Sequence, residues 1–89
     1  MRRRYTVVWS SPAVDRLANL WLENPVIKKE ITIAVDRIES ALARAPSALG
    51  ITVVGTADRV VVLPPITILF CVKEDDCLVQ VIDVKLWDD

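Results

Sequence analysis

The chain has 89 residues, 53% of them hydrophobic and 26% charged, with a formal net charge of −1 and no histidine. This length predicts a single domain spanning residues 1–89, and so apolar a composition excludes a disordered segment. Without histidine, the chain cannot build a Ser-His-Asp triad, a Cys-His pair or a His-dependent zinc site by itself. The slightly acidic balance argues against broad affinity for nucleic acids, which requires neutralisation of phosphates.

The apolar residues occur in short runs, the longest at residues 60–63 and 66–72. Both are far shorter than the ~20 residues of a membrane-spanning helix. Residues 1–4 begin like a signal peptide, but no apolar segment follows them, so we expect a cytoplasmic protein that does not bind membranes. Cys71 and Cys77 lack a CxxC spacing and are expected to be free thiols. Because a small domain buries only about 60–65% of its unfolded surface, the apolar excess predicts a protein partner.

The first third of the chain is predicted to form a strand and a helix. Residues 5–9 are rich in β-branched and aromatic types, which is typical of a short strand. Ser11 is the predicted N-cap of the helix and Pro12 its first residue, and the helix is predicted to end near Glu23. Its apolar stripe is predicted to consist of Val14, Leu17, Ala18 and Trp21. Trp9 and Trp21 are expected to pack in the core.

A second helix is predicted from Val26 to Arg44, after the stop signal Asn24-Pro25. Its buried face repeats every 3.6 residues, at Ile27, Ile31, Ala34, Val35, Ile38, Ala41 and Leu42. Val26 and Ile33 lie to one side of this stripe. They are either covered by the first helix or exposed as a contact for a partner.

The second half of the chain is predicted to contain three or four strands, which pair antiparallel because short turns join them. They cover residues 51–54, 59–63, 66–73 and 78–87. The predicted fold is therefore α+β: a short N-terminal strand, a two-helix hairpin and three to four antiparallel strands, with the helices packed on one face of the sheet. The opposite face has no second layer from this chain.

Simple alternation divides the side chains of the last two strands between two faces. Thr67 and Lys73 fall on the face opposite to Ile66, Ile68, Phe70 and Val72. The same reasoning assigns Val79, Val81 and Trp87 to one face of the last strand, together with Lys85. We predict that the open face binds a partner through Thr67, Lys73, Val79, Val81 and Trp87.

This order of elements, with four segments at matching positions, resembles the RelE/ParE family, the toxin halves of bacterial type II toxin–antitoxin pairs. Residues 5–13 look like that family's first strand and first-helix start, and residues 38–46 like the end of its second helix. Residues 66–72 are similar to the central hairpin and residues 79–84 to the last strand. The resemblance implies a RelE/ParE-like fold, a cognate antitoxin as partner, and a ribosome or a gyrase-type topoisomerase as target.

Two positions depart from the ribonuclease members of that family. Thr67 stands where the central strand commonly has an arginine, and the last strand ends in Lys85-Leu86-Trp87 instead of a basic or His/Arg pair. Because cleavage of messenger RNA depends on cationic donors around the phosphate, a site reduced to Lys85 and Arg59 would be poorly equipped. Lys85 either contacts a phosphate or pairs with Asp83.

The sequence therefore favours a toxin-like protein that acts by protein binding, without metal or cofactor. Two alternatives stay open at this point. One is a RelE-type endoribonuclease that cuts messenger RNA on the ribosome, and the other is a non-toxic homo-oligomeric module.

Overall fold

The computed structural model describes residues 4–87, in which a five-stranded sheet has two α-helices on one face. Residues 1–3, which begin the basic N-terminal run, and residues 88–89 lie outside the described residues. The elements are β1 (Thr6–Trp9), α1 (Ser11–Glu23), α2 (Lys28–Arg44), β2 (Ile51–Thr52), β3 (Asp58–Leu63), β4 (Ile66–Lys73) and β5 (Leu78–Leu86). The predicted α+β architecture is confirmed.

The strands lie in the order β1-β5-β4-β3-β2. The strands β2 to β5 pair antiparallel in sequence order, as the short turns between them predict. β1 joins the sheet at its edge and runs parallel to β5. The main-chain N–H of Thr6 donates to the Cys77 carbonyl at 2.9 Å, and that of Ser10 to the Val81 carbonyl at 3.0 Å.

Ser10, and not Ser11, is the N-cap of α1. Its hydroxyl accepts from the Ala13 N–H at 3.3 Å and donates to the Ile82 carbonyl at 3.2 Å. These bonds fix the start of α1 against β5 and set the rotation of the helix. Ala13 and Leu20 are consequently buried, with Leu17 and Trp21 packed against the core. The predicted stripe is wrong at two positions, because Val14 is 51% exposed and Ala18 is also exposed.

The buried face of α2 follows the predicted period closely. Its buried residues are Ile31, Ala34, Val35, Ile38 and Leu42. They pack with Ile66, Ile68 and Phe70 of β4 and with Val79, Val81 and Val84 of β5. The alternative that α1 covers Val26 and Ile33 is wrong, since these side chains are 91% and 42% exposed. Val26 lies in a short 3₁₀ turn (Pro25–Ile27) that precedes α2.

A β-bulge in β5 reverses the alternation of its side chains. Leu69 of β4 lies opposite Asp83, whereas Phe70 lies opposite Val81, so Ile82 is an extra residue on β5. Val81 therefore shares the helix-covered face with Phe70. Beyond the bulge, Val84 takes over the same face, opposite Ile68.

The bulge corrects the assignment of Val79 and Val81 to the open face. Both side chains are 0% exposed and belong to the core beneath the helices. They are therefore inaccessible to a partner in the folded chain. Simple alternation failed here because it assumes an uninterrupted strand.

Glu74 connects three parts of the fold at the β4–β5 turn. Its carboxylate accepts a hydrogen bond from the Tyr5 hydroxyl and another from the Ser47 hydroxyl, each at 2.6 Å. The acidic turn thus holds the start of β1 and the segment after α2. Cys71 and Cys77 are free thiols in this arrangement.

Trp9 and Trp21 pack against the core, as predicted. The Trp9 indole N–H donates to Glu39 Oε1 at 3.0 Å. The Trp21 ring lies 5.7 Å from the Lys28 ammonium. In the length of chain from residue 4 to residue 87, no helix combines the length and the hydropathy needed to cross a bilayer.

Candidate functional site

The face of the sheet opposite the helices carries an apolar surface beside one lysine. Cross-strand register places Val62, Thr67 and Lys85 in one row, and Val60, Leu69 and Asp83 in the next. We call these six residues, together with Trp87, the open face. Two adjoining shallow depressions of about 170 Å³ and 400 Å³ lie on it, and Thr67 and Lys85 line both.

The apolar side chains of the open face are accessible to a partner. Val62 is 43% exposed and Trp87 is 42% exposed, while Val60 and Leu69 are half-buried between their neighbours on the sheet. Trp87 follows β5 directly, and its main-chain N–H donates to the Pro65 carbonyl at 2.9 Å. This bond holds the tryptophan beside the wider depression.

Lys85 is exposed, and within residues 4–87 its side chain makes no hydrogen bond or ion pair. The predicted alternative, a pair with Asp83, is not formed. Asp83 Oδ1 instead accepts from the Val84 N–H at 2.9 Å and lies 3.7 Å from Arg16 Nε of α1. Asp83 and Lys85 line the same depression, and Arg16 offsets the charge of Asp83.

Arg59, the other catalytic candidate, lies on the opposite side of the sheet. It is in register with Phe70, a core residue, so its side chain shares the helix-covered face. Its Nε donates to the Leu49 carbonyl at 2.9 Å and its Nη2 to the Gly50 carbonyl at 3.1 Å. Its Nη1 donates to the Thr52 hydroxyl at 3.1 Å. Arg59 therefore ties the segment after α2 to β3, and it does not meet Lys85.

The close approach of this segment to β3 requires a glycine at position 50. This residue has a φ of +68°, and a side chain there would collide with the main chain of Val60. The close approach of the two strands lets one guanidinium reach three acceptors on residues 49–52.

We expect both Arg59→Met and Arg59→Lys to lower the free energy of unfolding by about 2 kcal/mol, because each leaves carbonyls of the 49–50 segment without their donors. Lysine has no planar fork and cannot bridge the three acceptors. Urea unfolding followed by circular dichroism measures the effect. Lys73→Met is the control, since Lys73 is exposed and makes no such bonds within residues 4–87. Equal stability of Arg59→Lys and the wild type would contradict the role of Arg59 in tying the segment after α2 to β3.

The remaining predicted binding residues do not lie together. Thr67 and Trp87 meet beside Lys85. Lys73 is exposed on the same face but lies six residues further along β4, about 20 Å from Thr67. Val79 and Val81 are in the core. Thr67 is largely buried, with 8% of its surface exposed, so it forms the floor between the two depressions.

Four residues of the open face were not predicted as site residues: Val60, Val62, Leu69 and Asp83. Alternation along β3 gave a usable signal, since Val60 and Val62 are opposite in direction to Arg59 and Val61. No side-chain cluster among residues 4–87 has the composition of a metal site.

Comparison with solved structures gives matches over nearly the whole chain. One is a chain of the toxin–antitoxin complex RelBE2 from Mycobacterium tuberculosis, with a TM-score of 0.75, 18% identity, and coverage of 98% of this chain and 95% of that chain. Another belongs to the chromosomal ParDE toxin–antitoxin system of P. aeruginosa, with a TM-score of 0.67, 16% identity, and coverage of 96% and 98%. No family model and no curated protein matches. The chain therefore has a RelE/ParE-like fold, as the sequence resemblance implies.

Proposed function

We propose that this RelE/ParE-like chain is the toxin component of a bacterial type II toxin–antitoxin module and acts by binding proteins. Its partners are a cognate antitoxin and, as cellular target, a gyrase-type topoisomerase. The observation that carries the proposal is the composition of the open face. Apolar side chains make up most of it, and Lys85 is its one lysine.

A ribonuclease site needs proton transfer at the 2′-hydroxyl and cationic donors that converge on one phosphate. Lys85 and Arg59 do not converge, because they extend from opposite faces of the sheet. Arg59 also directs three of its donors to its own chain. These observations favour protein binding over cleavage of messenger RNA.

The open face has the features of a protein interface. Such interfaces have an apolar centre with a charged rim, and tryptophan is frequent among their energetically dominant residues. Val62, Leu69 and Trp87 supply the apolar part, and Lys85 and Asp83 supply charges beside it. The antitoxin is the partner we assign to this surface.

Induced expression in a bacterial host tests the proposal. We expect growth arrest that a co-expressed antitoxin, encoded beside the gene, relieves, while messenger RNA on ribosomes stays intact. The purified chain should inhibit supercoiling by gyrase. Lys85→Ala should arrest growth as the wild type does, and Lys73→Ala is its matched control on the same face.

Two results would contradict the proposal. Cleavage of messenger RNA on ribosomes that is lost in Lys85→Ala and kept in Lys73→Ala would identify a RelE-type endoribonuclease. The absence of both growth arrest and a complex with the neighbouring gene product would exclude a toxin–antitoxin role.

A further inference from the structure

The outer side of α2 has an exposed apolar strip. Ile33 of α2 is 42% exposed, and Val26, in the 3₁₀ turn that precedes α2, is 91% exposed. Beside Ile33, a groove of about 160 Å³ separates α2 from the β3–β4 turn. It is lined by Glu30, Ile33, Ala34, Arg37, Leu63 and Pro64. The groove lies between α2 and the β3–β4 turn, apart from the open face.

Two opposite charges flank the apolar centre of this groove. Glu30 and Arg37 are also seven residues apart, so they lie on one side of α2 about 10 Å from each other along its axis. This separation prevents a direct ion pair between them. Both are exposed, and among residues 4–87 neither side chain makes a hydrogen bond or an ion pair. The midpoint between them falls between Ile33 and Ala34.

We propose that this groove binds a second copy of the chain, through an antiparallel contact between the two α2 helices about a two-fold axis between Ile33 and Ala34. In that arrangement Glu30 faces the partner's Arg37, and Arg37 faces the partner's Glu30. Ile33 of each copy lies over the small Ala34 of the other, which is 3% exposed and forms the floor of the groove. A two-fold contact forms each of these interactions twice.

The charges of α2 also disfavour two alternative arrangements, an antiparallel contact centred on Ile33 and a parallel contact. An antiparallel contact centred on Ile33 would place Lys29 opposite the partner's Arg37 and Glu30 opposite the partner's Asp36. A parallel contact would place Glu30 opposite the partner's Glu30. Like charges in such positions weaken association and select the partner's register. The arrangement centred between Ile33 and Ala34 instead pairs opposite charges.

Sedimentation equilibrium of the purified chain over a concentration series tests this contact. We expect a reversible dimer, and we expect Glu30→Arg and Arg37→Glu each to raise its dissociation constant by about tenfold or more, because each replaces two attractive pairs with two repulsive ones. An equimolar mixture of the two variants should dimerise at least as tightly as the wild type. In one contact the introduced arginine at position 30 faces the introduced glutamate at position 37, and in the other the native Arg37 of one variant faces the native Glu30 of the other.

The mixture separates loss of the contact from loss of folding, because a misfolded variant would not regain association on mixing. Glu23→Arg is the control for Glu30→Arg, with the same change of charge at the exposed end of α1. A chain that is monomeric throughout the series would overturn the proposal. So would a mixture no tighter than either variant alone, or an effect of Glu23→Arg equal to that of Glu30→Arg.

Discussion

Val81→Asp is expected to prevent stable folding, whereas Val62→Asp should leave the chain folded. The Val81 side chain is 0% exposed and lies opposite Phe70 beneath the helices. An unpaired carboxylate there costs roughly 4 kcal/mol or more, which is most of the ~5–10 kcal/mol that stabilises a small domain. Val62 is 43% exposed on the open face, and its replacement should cost less than about 1 kcal/mol. Circular dichroism and urea unfolding measure both.

Val84→Asp is the decisive companion variant. Simple alternation along β5 puts residues 81 and 84 on opposite faces, so only one of them could be buried. The bulge at Ile82 buries both, at 0% exposure each. We therefore expect Val81→Asp and Val84→Asp to be equally damaging. A folded Val81→Asp with the stability of Val62→Asp would mean that β5 has no bulge.

The helix α2 was predictable from the sequence, because its five buried residues repeat the 3.6-residue pattern over a long stretch. The rotation of α1 about its own axis was harder to predict from the sequence. Its apolar residues permit two stripes, and the choice between them depends on hydrogen bonds from Ser10 to the distant β5. The local sequence pattern predicts that a helix forms. The orientation of α1, however, depends on hydrogen bonds to residues some 70 positions away in the sequence.

The candidate site was predictable only in part, for a similar reason. Thr67, Lys85 and Trp87 lie on one surface, because they are on uninterrupted stretches of strand or next to the end of one. Val79 and Val81 were misplaced because nothing in the residues around Ile82 signals a bulge. Arg59 was a candidate catalytic cation. Its hydrogen bonds to residues 49–52 could not be foreseen, because they depend on a strand pairing that the sequence does not specify.

The burial of Val79 and Val81 changes where a partner must find its apolar contacts. With these valines in the core, the accessible apolar surface opposite the helices centres on Leu69 and Val62, with Trp87 at its end. Leu69 lies on β4, the middle strand of the sheet, between Val60 of β3 and Asp83 of β5. It is the position at which a single charge should most disturb an antitoxin seated on the open face.

Leu69→Asp is therefore expected to weaken binding of the cognate antitoxin by about 30-fold or more, equivalent to about 2 kcal/mol. The introduced carboxylate would lose water in the apolar centre of the interface, and it would lie directly opposite Asp83. Leu22→Asp is the matched control, because Leu22 is 79% exposed on α1 and carries the same change of side chain. Isothermal titration calorimetry with the antitoxin measures both variants after circular dichroism has verified their fold. If only Leu22→Asp weakened binding, the antitoxin would bind on the helical side. That result would contradict the assignment of the antitoxin to the open face.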